Sequence, residues 1–162
     1  MRIQIDQKSL AHKISIVQKG ISSRTTLQIL DGILLETVNG MLKLTSTDLE
    51  IGIETYVKCN IIEEGSIVVS SRIFGEIIKK LPESTITIIV EENNINIKCE
   101  GSEFNILGNG AHEYPELPTI INQNSFSMPK DLFKSAIRQT VFATTQDETR
   151  PILSGVLLEI VE

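Results

Sequence analysis

Nine cationic side chains fall within three stretches of helical periodicity. They are Lys8, Lys13 and Lys19 in residues 6–19, Arg72, Lys79 and Lys80 in 70–81, and Lys130, Lys134 and Arg138 in 128–141. Only Asp6, Glu76 and Asp131 oppose them there. The three stretches therefore carry +6 in a chain of formal net charge −6, which leaves six basic and eighteen acidic residues, a balance of −12, for the remainder. Cations without fixed acidic partners can hold a polyanion through its phosphates: released counterions supply affinity and no base is read. With two Tyr and no Trp, stacking platforms for single strands are scarce, so a duplex backbone is the better match. Lys and Arg are also good helix formers that decorate solvated faces, so the charge split does not stand alone.

Reactive groups elsewhere do not assemble into an active site. His12 lies on the basic helix face and His112 in a Gly/Pro-rich segment, neither with a carboxylate or thiol at a telling spacing. Cys59 and Cys99 form no CxxC and have no His cluster, which indicates reduced structural cysteines rather than a metal site. Gly108-Asn109-Gly110 lacks the following helix and lysine of a phosphate-cradling loop. Glu50, Glu54, Glu63 and Glu64 alternate along strands or sit in turns, as a solvated sheet face would. No catalytic residue, cofactor or metal is expected. No apolar run approaches the eighteen or so residues that cross a bilayer, and the start of the chain lacks a signal peptide's apolar region, so a cytoplasmic protein is expected.

The elements that position the cations can be read in order. Ile3 and Ile5 alternate as a short edge-like strand, and Asp6 caps a helix to about residue 19 whose buried stripe is Leu10, Ile14 and Val17. Residues 32–38 form a strand, Asn39-Gly40 turns it into a hairpin, and the alternation of Leu49, Ile51 and Ile53 continues the meander. A second round begins with strand 67–69. Ser70 or Ser71 caps a helix to about Leu81 with Ile73, Phe74, Ile77, Ile78 and Leu81 inward, and Pro82 stops it. Strands at about 85–90, 94–99 and 103–107 follow, with tight turns at Glu92-Asn93 and Glu100-Gly101. The expectation is an α+β fold: two strand, helix and three-strand halves, with the helices on one face of a continuous antiparallel sheet. Residues 108–125 read as an extended, prolyl-stiffened connector. Beyond it Pro129 suits a helix N1 position, and Phe133, Ala136, Ile137 and Thr140 form an inward stripe.

The chain also repeats itself. Ile29-Leu30-Asp31-Gly32-Ile33-Leu34-Leu35-Glu36 returns as Ile152-Leu153-Ser154-Gly155-Val156-Leu157-Leu158-Glu159, displaced by 123 positions, and the same shift aligns residues 3–38 with 126–161 without a gap. Nine of the 36 pairs are identical; because a helix and a strand stay in phase together, the pattern marks duplication of a structural unit. The expected domains are 1–124, complete, and 125–162, the start of a second copy. A strand-helix-strand piece cannot bury both faces of its sheet, so a longer natural protein is expected.

Thr25-Thr26-Leu27-Gln28-Ile29-Leu30, Gly32-Ile33-Leu34-Leu35 and Leu44-Thr45-Ser46-Thr47-Asp48-Leu49-Glu50, at this spacing, resemble the first domain of the bacterial sliding clamp family, the beta subunit of DNA polymerase III. Weaker similarity continues through Val69-Ser70-Ser71-Arg72-Ile73-Phe74, Leu81-Pro82, Tyr114-Pro115, Gln146-Asp147 and Leu153-Ser154-Gly155, and so covers the whole chain. The resemblance implies the DNA-clamp fold. Repeated domains close head to tail into a homodimeric ring with a basic helical inner wall, which encircles double-stranded DNA without reading sequence. It implies a nonenzymatic processivity factor whose partners are DNA polymerase III and the clamp loader, with no membrane role. Arg24 and Gln146 match loop positions that touch DNA, and Arg72 and Lys79 match channel-facing helix positions. Lys8, Lys13, Lys134 and Arg138 extend that basic face. Phe104 and Ile77 match the head-to-tail interface, and Ile73, where a basic residue is frequent, would make its edge more apolar. Thr25 stands where a proline is common, which would alter its loop. Arg150 and Leu153 match the edge of the partner-peptide cleft. The alternative is a stand-alone module whose basic helix face holds RNA or an acidic protein; an enzyme comes third.

Overall fold

The computed structural model describes residues 1–21, 27–118, 125–145, 147 and 149–160. The chain divides into two compact units, Met1–Pro118 and Thr119–Glu162.

In the first unit β1 (Arg2–Asp6) leads into α1 (Gln7–Val17), and a 3₁₀ turn (Gln18–Gly20) closes the helix. A second 3₁₀ turn (Gln28–Asp31) precedes β2 (Gly32–Val38), β3 (Met41–Thr47), β4 (Gly52–Lys58) and β5 (Asn60–Glu63). The second half follows as β6 (Ser66–Ser70), α2 (Ser71–Lys80), β7 (Thr85–Glu91), β8 (Asn94–Cys99) and β9 (Ser102–Leu107). Asp6 caps α1 through its carboxylate on Ser9 N at 2.9 Å, and Ser70 is the N-cap of α2. Such caps satisfy amide donors that the first helical turn cannot pair internally.

The halves exchange their opening strands. β1 joins the meander of the second half in a five-stranded sheet, β5-β1-β7-β8-β9, while β6 joins the first meander in a four-stranded sheet, β4-β3-β2-β6. This corrects two expectations. β1 is not an edge, because β5 and β7 bond it on both sides. The sheet is not continuous either: the strands form two separate ladders, and Val68 of β6 makes an isolated bridge to Asn109, just past the end of β9. It forms where the chain turns off β9 at Gly108, whose backbone comes so near that a Cβ would lie 2.7 Å from the Val68 carbonyl.

One core unites both sheets and both helices. Ile3, Ile5, Ile33, Leu35, Leu42, Leu44, Ile86, Ile88 and Ile97 from the strands meet Leu10, Ile14, Val17, Phe74 and Ile78 from the helices. The helices run antiparallel. Gln7 Nε2 donates to Ile78 O at 2.7 Å, joining the start of α1 to the end of α2, and Gln18 Nε2 donates to Ser71 O at 2.9 Å at the opposite end. Ile73, expected to point inward, is instead 46% exposed beside the fully buried Phe74.

A second cluster, Leu30, Leu34, Val68 and Tyr114, covers the other face of the four-stranded sheet. It revises the connector: residues 108–118 pack as a strap rather than running free. A 3₁₀ turn (Ala111–Glu113) brings Tyr114 down between Gly32 and Thr47, and Leu117 lies under Gly52, where a Cβ would be 2.6 Å from its side chain. The strand expected through Leu49 and Ile51 starts later, at Gly52. Asp48 Oδ1 accepts from Glu50 N at 3.0 Å and Ile51 N at 2.8 Å, so the chain turns, with Leu49 held at φ +77°. That side-chain turn outcompetes the strand pattern.

The second unit contains α3 (Lys130–Thr140) and 3₁₀ turns at Val141–Ala143 and Pro151–Ser154. A shift of 123 carries α1 and the first unit's first two 3₁₀ turns onto these three elements, residue for residue at both bounds. The duplication is thus written in backbone geometry as well as sequence. Pro129 is the N-cap rather than N1. The strand expected over the echo from Gly155 has no ladder partner among the described residues, and α3 buries no residue. A strand needs neighbours to satisfy its amides, and the Phe133, Ala136 and Ile137 stripe needs a sheet to cover it.

Candidate nucleic-acid interface

The cations of the first unit gather on the helix layer because the apolar stripes of α1 and α2 point to the sheets. Lys8, Lys19, Arg72, Lys79 and Lys80 are exposed, and Lys13 is half-buried. Arg72 and Lys79 are seven positions apart, two helical turns, and so share a face of α2. The antiparallel packing sets Lys8 near the end of α2 that carries Lys79 and Lys80, and Lys19 near the end that carries Arg72. Lys8 pairs with Glu83 at 3.5 Å, with both side chains solvent-exposed; such a pair is worth little. Between the ends of α1 and α2 opens a cleft of about 680 Å³ lined by Gln18, Ser71 and Arg72, with Asp31 as its acid.

The opposite sheet faces are acidic and internally paired. Lys43 bridges Glu36 and Glu54, and Lys98 pairs with Glu103 at 3.1 Å. Hydrogen bonds from Asn96 and then Lys98 hold the Glu103 carboxyl below the usual carboxylate range.

Other predicted positions are distributed. Ile77 is half-buried against the core, whereas Phe104 is 40% exposed on β9, the outer edge of the five-stranded sheet. Leu107 on the same strand, 74% exposed, went unnoticed because an apolar residue closing a strand gives no sign of facing solvent. Lys134 and Arg138 are exposed on α3, and Arg150 and Leu153 are exposed around the last 3₁₀ turn. Arg24, Thr25 and Gln146 lie outside the described residues. Burial raises both thiols, Cys59 and Cys99, above the ordinary cysteine range, and neither is bonded to the other. Among the described residues, no group of three or more His, Cys, Asp or Glu is arranged to hold a metal ion, and no helix is long and apolar enough to cross a membrane.

Residues 1–118, the whole first unit, match the family model of the DNA polymerase III beta subunit, N-terminal domain. The chain belongs to the DNA polymerase III beta subunit family. It is 41% identical to the beta sliding clamp of Bacillus subtilis over 96% of its own length and 44% of that protein. To the beta sliding clamp of Halalkalibacterium halodurans it is 39% identical, over 99% of this chain and 44% of the relative. The crystal structure of the DNA polymerase sliding clamp from Bacillus subtilis superposes with a TM-score of 0.88 at 39% identity, covering 94% of this chain and 42% of that one. A putative DNA polymerase III beta subunit from Eubacterium rectale superposes with a TM-score of 0.89 at 31% identity, over 94% and 42% of the respective chains. The chain spans less than half the length of these relatives. The α+β fold of antiparallel sheets and helices is that of the beta subunit family.

Proposed function

We propose that this chain supplies the first domain, and the start of the second, of a ring that encircles duplex DNA and tethers the replicative polymerase as a processivity factor, without catalysis. The observation that carries the reading is the antiparallel pair α1 and α2, with Lys8, Lys19, Arg72, Lys79 and Lys80 exposed on one layer while acids line the sheets. In this reading residues 1–124 are one clamp domain and 125–162 begin the next. Lys8, Lys13, Arg72 and Lys79, and in the second unit Lys134 and Arg138, are the cations proposed to meet duplex phosphates, and Arg24 and Gln146 are further proposed DNA contacts. Phe104, Ile77 and Ile73 form one side of a head-to-tail homodimer interface closed by the β9 edge. Arg150 and Leu153 border a cleft for peptides of the polymerase and the clamp loader.

The test is fluorescence anisotropy of a linear duplex against this chain across a salt series. Without a closed ring, binding is expected to be weak, independent of sequence and steeply weakened by salt. Replacing Arg72 and Lys79 by Ala lowers the magnitude of the log K against log salt slope by about one for each phosphate that is no longer neutralised. Tight binding that survives high salt, or a slope indifferent to both substitutions, overturns the reading.

A further inference from the structure

On the sheet face turned away from α1 and α2, the strap 111–117 roofs a cavity of about 410 Å³. Strand register sets its floor. Lys43 stands directly opposite Glu36 of β2, and Thr45 directly opposite Glu54 of β4, so these side chains share one face. Lys43 Nζ lies 3.3 Å from Glu36 Oε2 and 2.8 Å from Glu54 Oε1, and the Glu54 hydrogen bond raises the ammonium above the usual lysine range. Glu116 adds a third carboxylate from the strap. The lining thus sets the Lys43 ammonium and His112 against three carboxylates, and each carboxylate keeps free lone pairs, since it can accept about four hydrogen bonds. Thr45 is 3% exposed, yet its Oγ1 has no hydrogen-bond partner among the described residues. A buried hydroxyl left unpaired in a native fold points to something that completes it.

The surplus of acids disfavours an anion, and among the described residues no group of His, Cys, Asp or Glu is arranged as a metal cage. What remains is an organic cation rich in donors. We infer that this cavity is a binding site for a guanidinium group, whose N–H donors reach Glu36 and Glu54 while Thr45 Oγ1 accepts at the floor. The planar fork of a guanidinium matches carboxylate geometry better than a point-charge ammonium does. The group could be an arginine of a peptide or a free small molecule; the recognition chemistry is the same.

The experiment follows Thr45 and Leu34 methyl resonances of the full 162-residue chain at fixed ionic strength. The probes are N-acetyl-arginine N-methylamide, agmatine, and N-acetyl-citrulline N-methylamide, the neutral near-isostere of the first. Both guanidinium probes are expected to give saturable shifts, the tighter of them naming the source, with the citrulline probe at least about tenfold weaker. Thr45→Val is expected to weaken binding about tenfold with no loss of melting temperature. Should that variant misfold, Glu36→Gln carries the same comparison. Equal binding of the citrulline probe, the absence of saturable shifts, or affinity unchanged in the folded variant overturns the site and leaves water as its occupant.

Discussion

The Tyr114 hydroxyl donates to the carbonyl oxygen of Gly32 across 3.3 Å, joining the strap to the first residue of β2. The hydroxyl oxygen in turn accepts from Thr47 N at 3.2 Å, so one phenol pins the strap to two neighbouring strands from a buried position. Tyr114→Phe keeps the ring in the Leu30, Leu34 and Val68 cluster and removes both bonds. The expected cost is about 1–3 kcal/mol, because buried backbone groups lose their partner. A lower urea midpoint with an unchanged m-value is the readout.

The same residue sets an alkaline limit. Burial, partly offset by the Thr47 amide, raises the Tyr114 hydroxyl above its ordinary range. A raised folded-state value means that the contribution is complete below the unfolded-state pKa, about 10, and is lost as pH rises through the folded value. The stability gap between the parent chain and Tyr114→Phe is therefore expected to narrow above about pH 10. Cys59 and Cys99, also raised by burial, lower both proteins alike and cancel in the difference. A gap independent of pH would refute the assignment.

How much of this was legible depended on whether the cause was local. Both helices of the first unit could be read from a cap and a stripe, Asp6 with Leu10, Ile14 and Val17 for one, and Ser70 with Phe74 and Ile78 for the other. The hairpin at Asn39-Gly40 and the turns at Glu92 and Glu100 also carry local signatures, and all three have left-handed φ at their first residue. Strand exchange does not: nothing in Arg2–Asp6 says that β5 and β7 will flank it, because pairing partners lie more than 50 residues away. The cations of the candidate interface could be named from sequence since helical spacing fixes which face they take. The Lys43, Glu36 and Glu54 cluster could not, since it exists only once β2, β3 and β4 are in register.

Asp48 is a case where a local turn signal prevails over the alternation of Leu49, Ile51 and Ile53. Its carboxylate holds the turn before β4 through Ile51 N first and Glu50 N second, and these bonds lower it from the usual range. A depressed folded-state value means stability present above the unfolded-state pKa, about 4, and lost as pH falls through the folded value. Asp48→Ala should lower the urea midpoint at pH 7, and its gap from the parent chain should close below about pH 4. Asp48→Asn, which keeps an acceptor, should lose less at pH 7 and show no acid step of its own.

Adjacent residues on α2 make a sharper contrast. Phe74 is fully buried at the centre of the shared core, whereas Ile73 is 46% exposed. Phe74→Ala should cost about 3–5 kcal/mol through lost burial and a cavity. Ile73→Lys should stay within about 0.5 kcal/mol. A large loss in the second variant would mean that Ile73 is covered in solution, and light scattering would then report an oligomer.

The two glycines of the repeat test whether the second copy is packed as the first is. Gly32 has no room for a side chain: a Cβ there would lie 2.5 Å from Val68 Cγ1, 3.0 Å from Ile29 O and 3.1 Å from Val69 O. Two of those neighbours are backbone atoms that cannot swing aside, so Gly32→Ala should destabilise the first unit by about 1–3 kcal/mol, the usual range for overpacking. Gly155 occupies the equivalent position 123 residues later, and nothing among the described residues lies within 4 Å of its added Cβ. Gly155→Ala should therefore leave the urea transition of this chain within about 0.5 kcal/mol of the parent. In a chain long enough to supply the strand that β6 supplies to Gly32, the same substitution should become as costly as its counterpart. Equal costs at both glycines in the 162-residue chain would show that the echo strand already has a partner.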